Sequence, residues 1–173
     1  MRTLLIFSGF FLITLTCKAQ SLKKYSIGDS GCSAYLFCDP GIFEKTYSED
    51  SSLVYTGDCK ADSLTYGIIC AKIKDVISNA DDAESLLVNY LGYLKSAFEI
   101  KSSAGYGKGH TMNNKPDARG IIDYWKDKDG KEWKIKGWTD GKFIAVMYLY
   151  ANGKLNETEK MNLFLNGFRF PGM

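Results

Sequence analysis

The chain contains 173 residues, among them 22 Lys and Arg, 20 Asp and Glu, and a single His. Arg2 and Lys18 lie within the first nineteen residues, which contain no acidic side chain, so residues 20–173 carry equal numbers of basic and acidic groups. This balance argues against a protein that binds nucleic acid through overall positive charge. Residues 20–173 have a length typical of one domain with a sizeable hydrophobic core.

The first nineteen residues have the composition of a secretory signal peptide. Arg2 is followed by an apolar run over residues 4–15, and the small residue Ala19 precedes Gln20. This order predicts cleavage after Ala19 and a mature protein that is secreted or periplasmic. The apolar run is shorter than the roughly 20 residues that a membrane-spanning helix needs, so no transmembrane segment is predicted.

An alternative interpretation makes Cys17 the lipidated first residue of an anchored lipoprotein. Lipoprotein signals carry an aliphatic residue three positions before the modified cysteine, whereas Thr14 occupies that position here. The mass of the mature protein distinguishes the two interpretations, because a chain that begins at Gln20 carries no acyl groups.

The segment after the signal peptide, residues 20–31, is polar, and we expect it to be a flexible N-terminal arm. A single α+β domain is predicted to follow over residues 32–173. Its first strand is predicted over residues 32–38, where β-favouring side chains are stopped by the turn-forming sequence Asp39-Pro40-Gly41.

Two further β-favouring runs, residues 53–59 and 64–73, predict an antiparallel hairpin. The four residues between them, 60–63, are expected to form its loop. A loop of this length places Cys59 opposite Leu64, and the apolar side chains of both strands then share one face.

Four cysteines remain after signal cleavage, and an even number in an exported chain predicts two disulfides. They are Cys32, Cys38, Cys59 and Cys70. If the first strand pairs with the second, Cys32 lies near Cys59 and Cys38 lies near Cys70, which predicts those two bridges. A zinc site is disfavoured, because CxxC spacing is absent and His110 is the only histidine.

The clearest helix is predicted over residues 81–98, with Ser78 or Asn79 as its N-cap. Acidic residues in its first turn interact favourably with the helix dipole. Apolar residues recur at helical spacing and predict a core-facing stripe of Leu86, Leu87, Tyr90, Leu91, Leu94 and Phe98. Residues 101–115 follow as a polar, Gly-rich connection, with room for a short strand near its end.

The second half of the chain predicts a three-stranded meander over residues 121–126, 131–138 and 143–150, with Asp-Gly pairs in its turns. The third strand is apolar on both faces, as expected of a central buried strand. A final helix is predicted over residues 156–165, with Thr158 as an alternative first residue.

This half also carries a pattern that resembles a known family. Three features occur in order, namely Pro116-Asp117-Ala118-Arg119-Gly120 before a strand, Asp129-Gly130 after it, and Phe164-Leu165-Asn166-Gly167-Phe168-Arg169-Phe170 after a helix. Together with the order of elements over residues 32–170, they resemble the PsbP/Mog-like α/β/α sandwich family. Gly167 stands where the tail of many such proteins has serine. The resemblance implies an antiparallel sheet flanked by helices, in a binding or assembly module without a particular activity.

The sequence contains no constellation typical of catalysis, of cofactor binding or of a metal site, so no residue is predicted to have such a role. His110 stands alone in the Gly-rich segment 105–110, which matches neither a phosphate-binding loop nor a dinucleotide fingerprint. The acidic pairs Asp81/Asp82 and Asp127/Asp129 fall at a helix start and in a hairpin turn, where such residues have structural roles.

One candidate ligand-binding face lies on the middle strand of the meander. Alternation along a strand places Lys134, Lys136 and Trp138 on one face, and Trp133 and Ile135 on the other. An exposed Trp138 beside two lysines is suited to stacking on a sugar ring or to binding an acidic partner. The alternative is a solvated face with Trp138 packed at its edge.

These observations favour an exported, non-enzymatic binding or assembly module. Its partner is expected to be another envelope protein, or a small ligand held between the sheet and a helix. The alternative is a carbohydrate-binding protein that uses the face of Trp138. A third hypothesis is a hydrolase that uses His110 or the carboxylates of Asp127 and Asp129.

Overall fold

The structure, a computed structural model, describes residues 21–105, 107–156 and 158–173. Strands account for 48% of the described residues and helices for 17%. The α+β class is therefore confirmed in a coarse form, in which antiparallel sheet predominates. The signal peptide, its cleavage at Ala19 and lipidation at Cys17 concern residues outside this range. In the part of the chain that is described, neither helix is long and apolar enough to cross a membrane.

The large sheet is antiparallel, and its strands are β3 (Glu44–Tyr47), β4 (Leu53–Ala61), β5 (Leu64–Lys72), β6 (Ile100–Ser103), β7 (Gly107–Met112), β8 (Lys115–Asp127), β9 (Glu132–Thr139) and β10 (Phe143–Ala151). Their order across the sheet is β3-β4-β5-β10-β9-β8-β6, and β7 pairs with β8. The predicted hairpin and meander are confirmed as β4–β5 and β8–β9–β10. Strand β10 lies in the middle, as its apolar sequence predicts.

A small sheet and two helices complete the fold, and their bounds are β1 (Lys23–Ser26), β2 (Ser33–Leu36), β11 (Phe168–Arg169), α1 (Ala80–Ala97) and α2 (Glu159–Leu165). The small sheet has the order β1-β2-β11. Helix α1 packs against β8 and β9, and α2 packs against β10. The predicted cap of α1 is confirmed, because Asn79 Oδ1 accepts hydrogen bonds from the backbone N–H groups of Asp81 and Asp82.

Two hydrophobic cores lie on opposite faces of the large sheet. One face packs under α1, and its buried residues are Ile69, Ala71, Leu87, Leu91, Leu94, Ile121, Trp125, Trp133, Ile135, Ile144 and Val146. The other face packs under the small sheet and α2, through residues that include Tyr66, Ile68, Cys70, Ala145, Met147, Phe164 and Phe168. The central strands are therefore buried on both sides, and the predicted apolar stripe of α1 faces the core.

The hairpin β4–β5 has a shorter loop than the sequence predicts. Asp62 and Ser63 both have positive φ, 51° and 64°, which is the geometry of a two-residue turn that follows the twist of the strands. Cys59 consequently lies opposite Tyr66, and the predicted pairing with Leu64 is wrong by two residues. Because the error is an even number, each side chain remains on its predicted face.

Two segments expected to be largely irregular contain strands. Within the predicted arm, β1 pairs with β2, because Tyr25 lies opposite Ala34 in an antiparallel register. Within the Gly-rich connection, β6 and β7 both pair with β8 with register shifts, and one shift in β7 contains Gly109, whose φ is 85°. In both segments, pairing with a partner strand overrides a polar, glycine-containing sequence.

The predicted disulfide pairing is wrong. Among the described cysteines there is a single bridge, between Cys38 and Cys59, with their α-carbons 5.8 Å apart, while Cys32 and Cys70 are buried thiols. The prediction assumed that β2 pairs with β4. Strand β2 instead belongs to the small sheet and lies over the face of the large sheet, so that its C-terminal end reaches Cys59.

Gly141, in the turn between β9 and β10, anchors the segment that leads into α1. Its carbonyl accepts a hydrogen bond from the N–H of Ile77, at 2.9 Å, and its φ is 78°. A β-carbon at this position would overlap the carbonyl oxygen of Ile77. Gly130 has a similar φ of 80°, but a β-carbon there would meet only the end of the Lys126 side chain at 3.9 Å, so it is a matched control.

We expect Gly130→Ala to lower the free energy of unfolding by about 1–2 kcal/mol, which is the cost of a left-handed backbone for alanine. Gly141→Ala is expected to cost about 1–3 kcal/mol more, because backbone atoms must also move apart. Urea denaturation of the two variants measures the difference. Equal losses of stability would show that the contact with Ile77 contributes nothing.

Candidate functional site

Strand β9 carries charged side chains into the interior of the protein. Lys134 is 3% exposed, Lys136 is 6% exposed and Trp138 is 2% exposed. As predicted, these three side chains share one face of the strand, which is the face toward α2, while Trp133 and Ile135 pack under α1. The candidate face is therefore a covered one, and the two lysines occupy positions at which apolar residues are usual.

Each lysine meets an asparagine of the α2 segment. Lys134 Nζ donates a hydrogen bond to Asn162 Oδ1 at 3.0 Å, and Lys136 Nζ donates one to Asn166 Oδ1 at 2.7 Å. The spacing of the two partners matches, because two residues of a strand rise about 6.6 Å and four residues of a helix rise about 6 Å. Lys134, Lys136, Asn162 and Asn166 are called the lysine–asparagine cluster below.

Aromatic rings complete the surroundings of both ammonium groups. Lys134 Nζ lies 5.3 Å from the centroid of the Tyr124 ring, and Lys136 Nζ lies 4.6 Å from that of Trp138. At these distances the negative face of the ring attracts the cation. Across residues 21–105, 107–156 and 158–173, the Lys136 ammonium thus has two side-chain partners, an amide oxygen and an indole, and both are neutral.

The hypothesis of an exposed Trp138 is wrong, and the alternative is correct in part, since Trp138 is packed but the face that it shares with the two lysines is covered and not solvated. Its Nε1 donates a hydrogen bond to the carbonyl of Leu165 at 3.3 Å, and its ring lies against Gly120 of the neighbouring strand, where a β-carbon would leave no room. The end of α2 covers the indole, which the strand pattern alone could not predict. Trp138 therefore offers no open ring face on which a sugar could stack.

His110 lies on the same face of the sheet. It is opposite Gly120, which is in turn opposite Trp138, so β7, β8 and β9 bring the three residues into one row. Burial lowers the pKa of His110, and the positive charge of Lys136 lowers it further. His110 is consequently neutral at pH 7, and at lower pH it becomes a third positive charge beside the two lysines.

Burial also lowers the pKa of Lys136, and the neighbouring Lys134 adds to the effect. The charged amine is therefore less stable in the folded protein than in the unfolded chain. This penalty is present at neutral pH, and it is relieved as the pH rises through the interval between the lowered pKa and the pKa of the unfolded chain.

Cavities lie at both ends of the lysine–asparagine cluster. One, of about 380 Å³, is lined by Lys134, Tyr124 and Met161 among others. The second, of about 570 Å³, has Trp138 in its wall and is called the Trp138 cavity. Its polar lining contains hydrogen-bond donors from Arg169, Asn166, Thr111, Asn113 and Asn114. A donor-rich cavity beside buried positive charge is suited to an anion.

The site contains residues that the sequence analysis did not single out. Asn162 and Asn166 recur four residues apart, which places both on one side of α2, and this spacing was a usable signal. Arg169 had no such signal, because only the return of β11 to the small sheet brings it to the cavity. Within the described ranges, no cluster of three or more His, Cys, Asp or Glu residues is arranged to hold a metal ion.

Comparison with known proteins gives no family assignment. The chain matches no protein-family model, and it matches no curated protein.

We expect Lys136→Met to raise the free energy of unfolding of the ligand-free protein by about 1 kcal/mol at pH 7, because it removes a buried charge with neutral partners. The gain should be smaller at pH 10, because the penalty is relieved as the pH rises from the lowered pKa of Lys136 toward its pKa in the unfolded chain. Urea denaturation at the two pH values measures both effects. Lys72→Met, at an exposed strand position, is the control, and a loss of stability in Lys136→Met would contradict the expectation.

Proposed function

We propose that this protein is an exported, non-enzymatic binding module that holds a small oxyanion, such as a carboxylate or phosphate compound, in the Trp138 cavity. The carrying observation is the burial of the Lys136 ammonium, 6% exposed, against partners that are both neutral. A charge held in the interior without a counter-charge is costly, and titratable groups perturbed by burial cluster at functional sites. An anionic ligand would supply the missing counter-charge.

The surroundings of Lys136 support an anion as this ligand. Asn166 contacts Lys136 on one side and lines the Trp138 cavity on the other, so an anion in the cavity lies close to the ammonium. Arg169 supplies a second permanent positive charge at the cavity wall. Positive charge from Lys136 and Arg169, combined with amide and hydroxyl donors, is the chemistry that recognises carboxylate and phosphate oxygens.

A small ligand fits this site better than the surface of another protein. The lysines are recessed beneath α2, and a cavity of about 570 Å³ is within the usual range of small-molecule sites. A protein partner would need exposed anchor residues, whereas Lys136 and Trp138 are almost fully covered.

The proposal includes export and the PsbP/Mog-like sandwich. The Cys38–Cys59 bridge supports an oxidising compartment, which is where the predicted signal peptide would direct the chain. The sandwich is supported by the layered arrangement, with α1 on one face of an antiparallel sheet and α2 on the other. In such a fold a ligand is held by grafted side chains, so the proposal depends on the cluster and not on the fold.

Binding is tested by isothermal titration calorimetry with citrate and with inorganic phosphate as probes. We expect at least one probe to bind, and we expect Lys136→Met and Arg169→Met each to weaken binding about tenfold, which corresponds to the loss of about 1.4 kcal/mol.

Lys72→Met is the matched control, since it removes the same charge from an exposed strand position away from the cavity. Its affinity should equal that of the unchanged protein. Equal weakening in all three variants would indicate only a general effect of net charge. Failure of both probes to bind the unchanged protein at low ionic strength would overturn the proposal.

A further inference from the structure

The two ends of β2 both meet cysteines of the large sheet. Cys38, just after β2, is bridged to Cys59 of β4. Cys32, just before β2, is a buried thiol that belongs to the same core cluster as Cys70 of β5. Each end of β2 therefore has a cysteine near a cysteine of the large sheet, although only the C-terminal end is covalently joined to that sheet.

The loop before β2 brings Cys32 to this position. Ile27 N donates a hydrogen bond to the carbonyl of Cys32 at 2.9 Å, which closes the loop around Gly28. Gly28 lies directly against the ring of Tyr55, where an added β-carbon would be 2.7 Å from ring carbons. Tyr55 is paired across the sheet with Cys70. The loop is thus held over the Tyr55–Cys70 pair.

The two thiols are neighbours in this core. Cys32 and Cys70 belong to one buried cluster and are 1% and 0% exposed, and the Cys32 side chain has the largest influence on the pKa of the Cys70 thiol. Two such cysteines can be bridged where their α-carbons come within about 7 Å of each other.

We propose that Cys32 and Cys70 form a second disulfide in the exported protein. In this step both S–H bonds break, the sulfurs join, and two protons leave. The two electrons pass to an oxidant of the disulfide class, such as oxidised glutathione or an oxidised thiol–disulfide oxidoreductase, which becomes two thiols. The second bridge would join the N-terminal end of β2 to β5, as Cys38–Cys59 joins its C-terminal end to β4.

The bridge is expected to form while the chain folds. The neighbouring Cys32 side chain, together with burial, raises the pKa of Cys70 in the folded protein. The thiolate that attacks a disulfide is therefore scarce once the core has closed, and a bulky oxidant has no access to a side chain that is 0% exposed. A chain that folds under reducing conditions should keep both thiols.

The test uses the full chain, refolded from the reduced, denatured state in a buffer of oxidised and reduced glutathione. The product is denatured, alkylated with iodoacetamide and digested, and peptide mass spectrometry reports each cysteine separately. We expect a Cys32–Cys70 linked peptide and less than one tenth alkylation at either residue. Cys38 and Cys59 in the same sample serve as the reference for a bridged pair.

A second sample tests whether the bridge forms during folding or can also form after folding is complete. Protein that is first folded in a thiol reductant and then given oxidised glutathione should show alkylation of Cys32 and Cys70 at least fivefold above that of the sample refolded with oxidant. Alkylation of both residues in most molecules of the refolded sample would overturn the proposal. Linked peptides that join Cys32 to Cys59, or Cys38 to Cys70, would overturn it as well.

Discussion

Burial of both faces of the large sheet is the constraint on which the rest of the structure depends. Strands β5, β10 and β9 lie in the middle, with α1 on one side and α2 and the small sheet on the other. A polar side chain in these strands cannot reach bulk water, so it must find a partner in the covering layer. Lys134 and Lys136 do so through the asparagines of α2. The buried lysines and their amide partners thus lie where α2 packs on the central strands of the sheet.

Much of this fold could be predicted from local patterns. The helix over α1 is specified by its cap at Asn79 and by a stripe of apolar residues, and the meander by alternation and Asp-Gly turns. The arm and the Gly-rich connection escaped prediction, because β1, β6 and β7 have little strand character of their own and are ordered by their neighbours. The prediction of the disulfide pairing failed for a related reason, since the assignment of β2 to a separate sheet depends on contacts distant in sequence.

The candidate site shows the same division. Alternation placed the lysines and Trp138 together correctly, since that depends only on strand geometry. Their exposure and partners depend on α2, which lies 28 and 30 residues further along the chain for the two hydrogen bonds. The pattern of Lys134, Lys136 and Trp138 is compatible with a solvent-exposed face and with a buried one, and only the position of α2 distinguishes them. The structure therefore shows a recessed, positively charged site where one sequence hypothesis placed an exposed aromatic surface.

The matched spacing of the two lysines and the two asparagines also restricts how the chain length can vary. One residue added between Asn162 and Asn166 would turn the later asparagine by about 100° around the helix axis and carry it away from Lys136. An insertion in the exposed segment at residues 152–154 would leave the cluster untouched. Variation in chain length should therefore be tolerated before α2 and excluded between Asn162 and its C-cap Asn166. The number of residues in that segment sets the distance between the hydrogen-bond partners of the two lysines on β9.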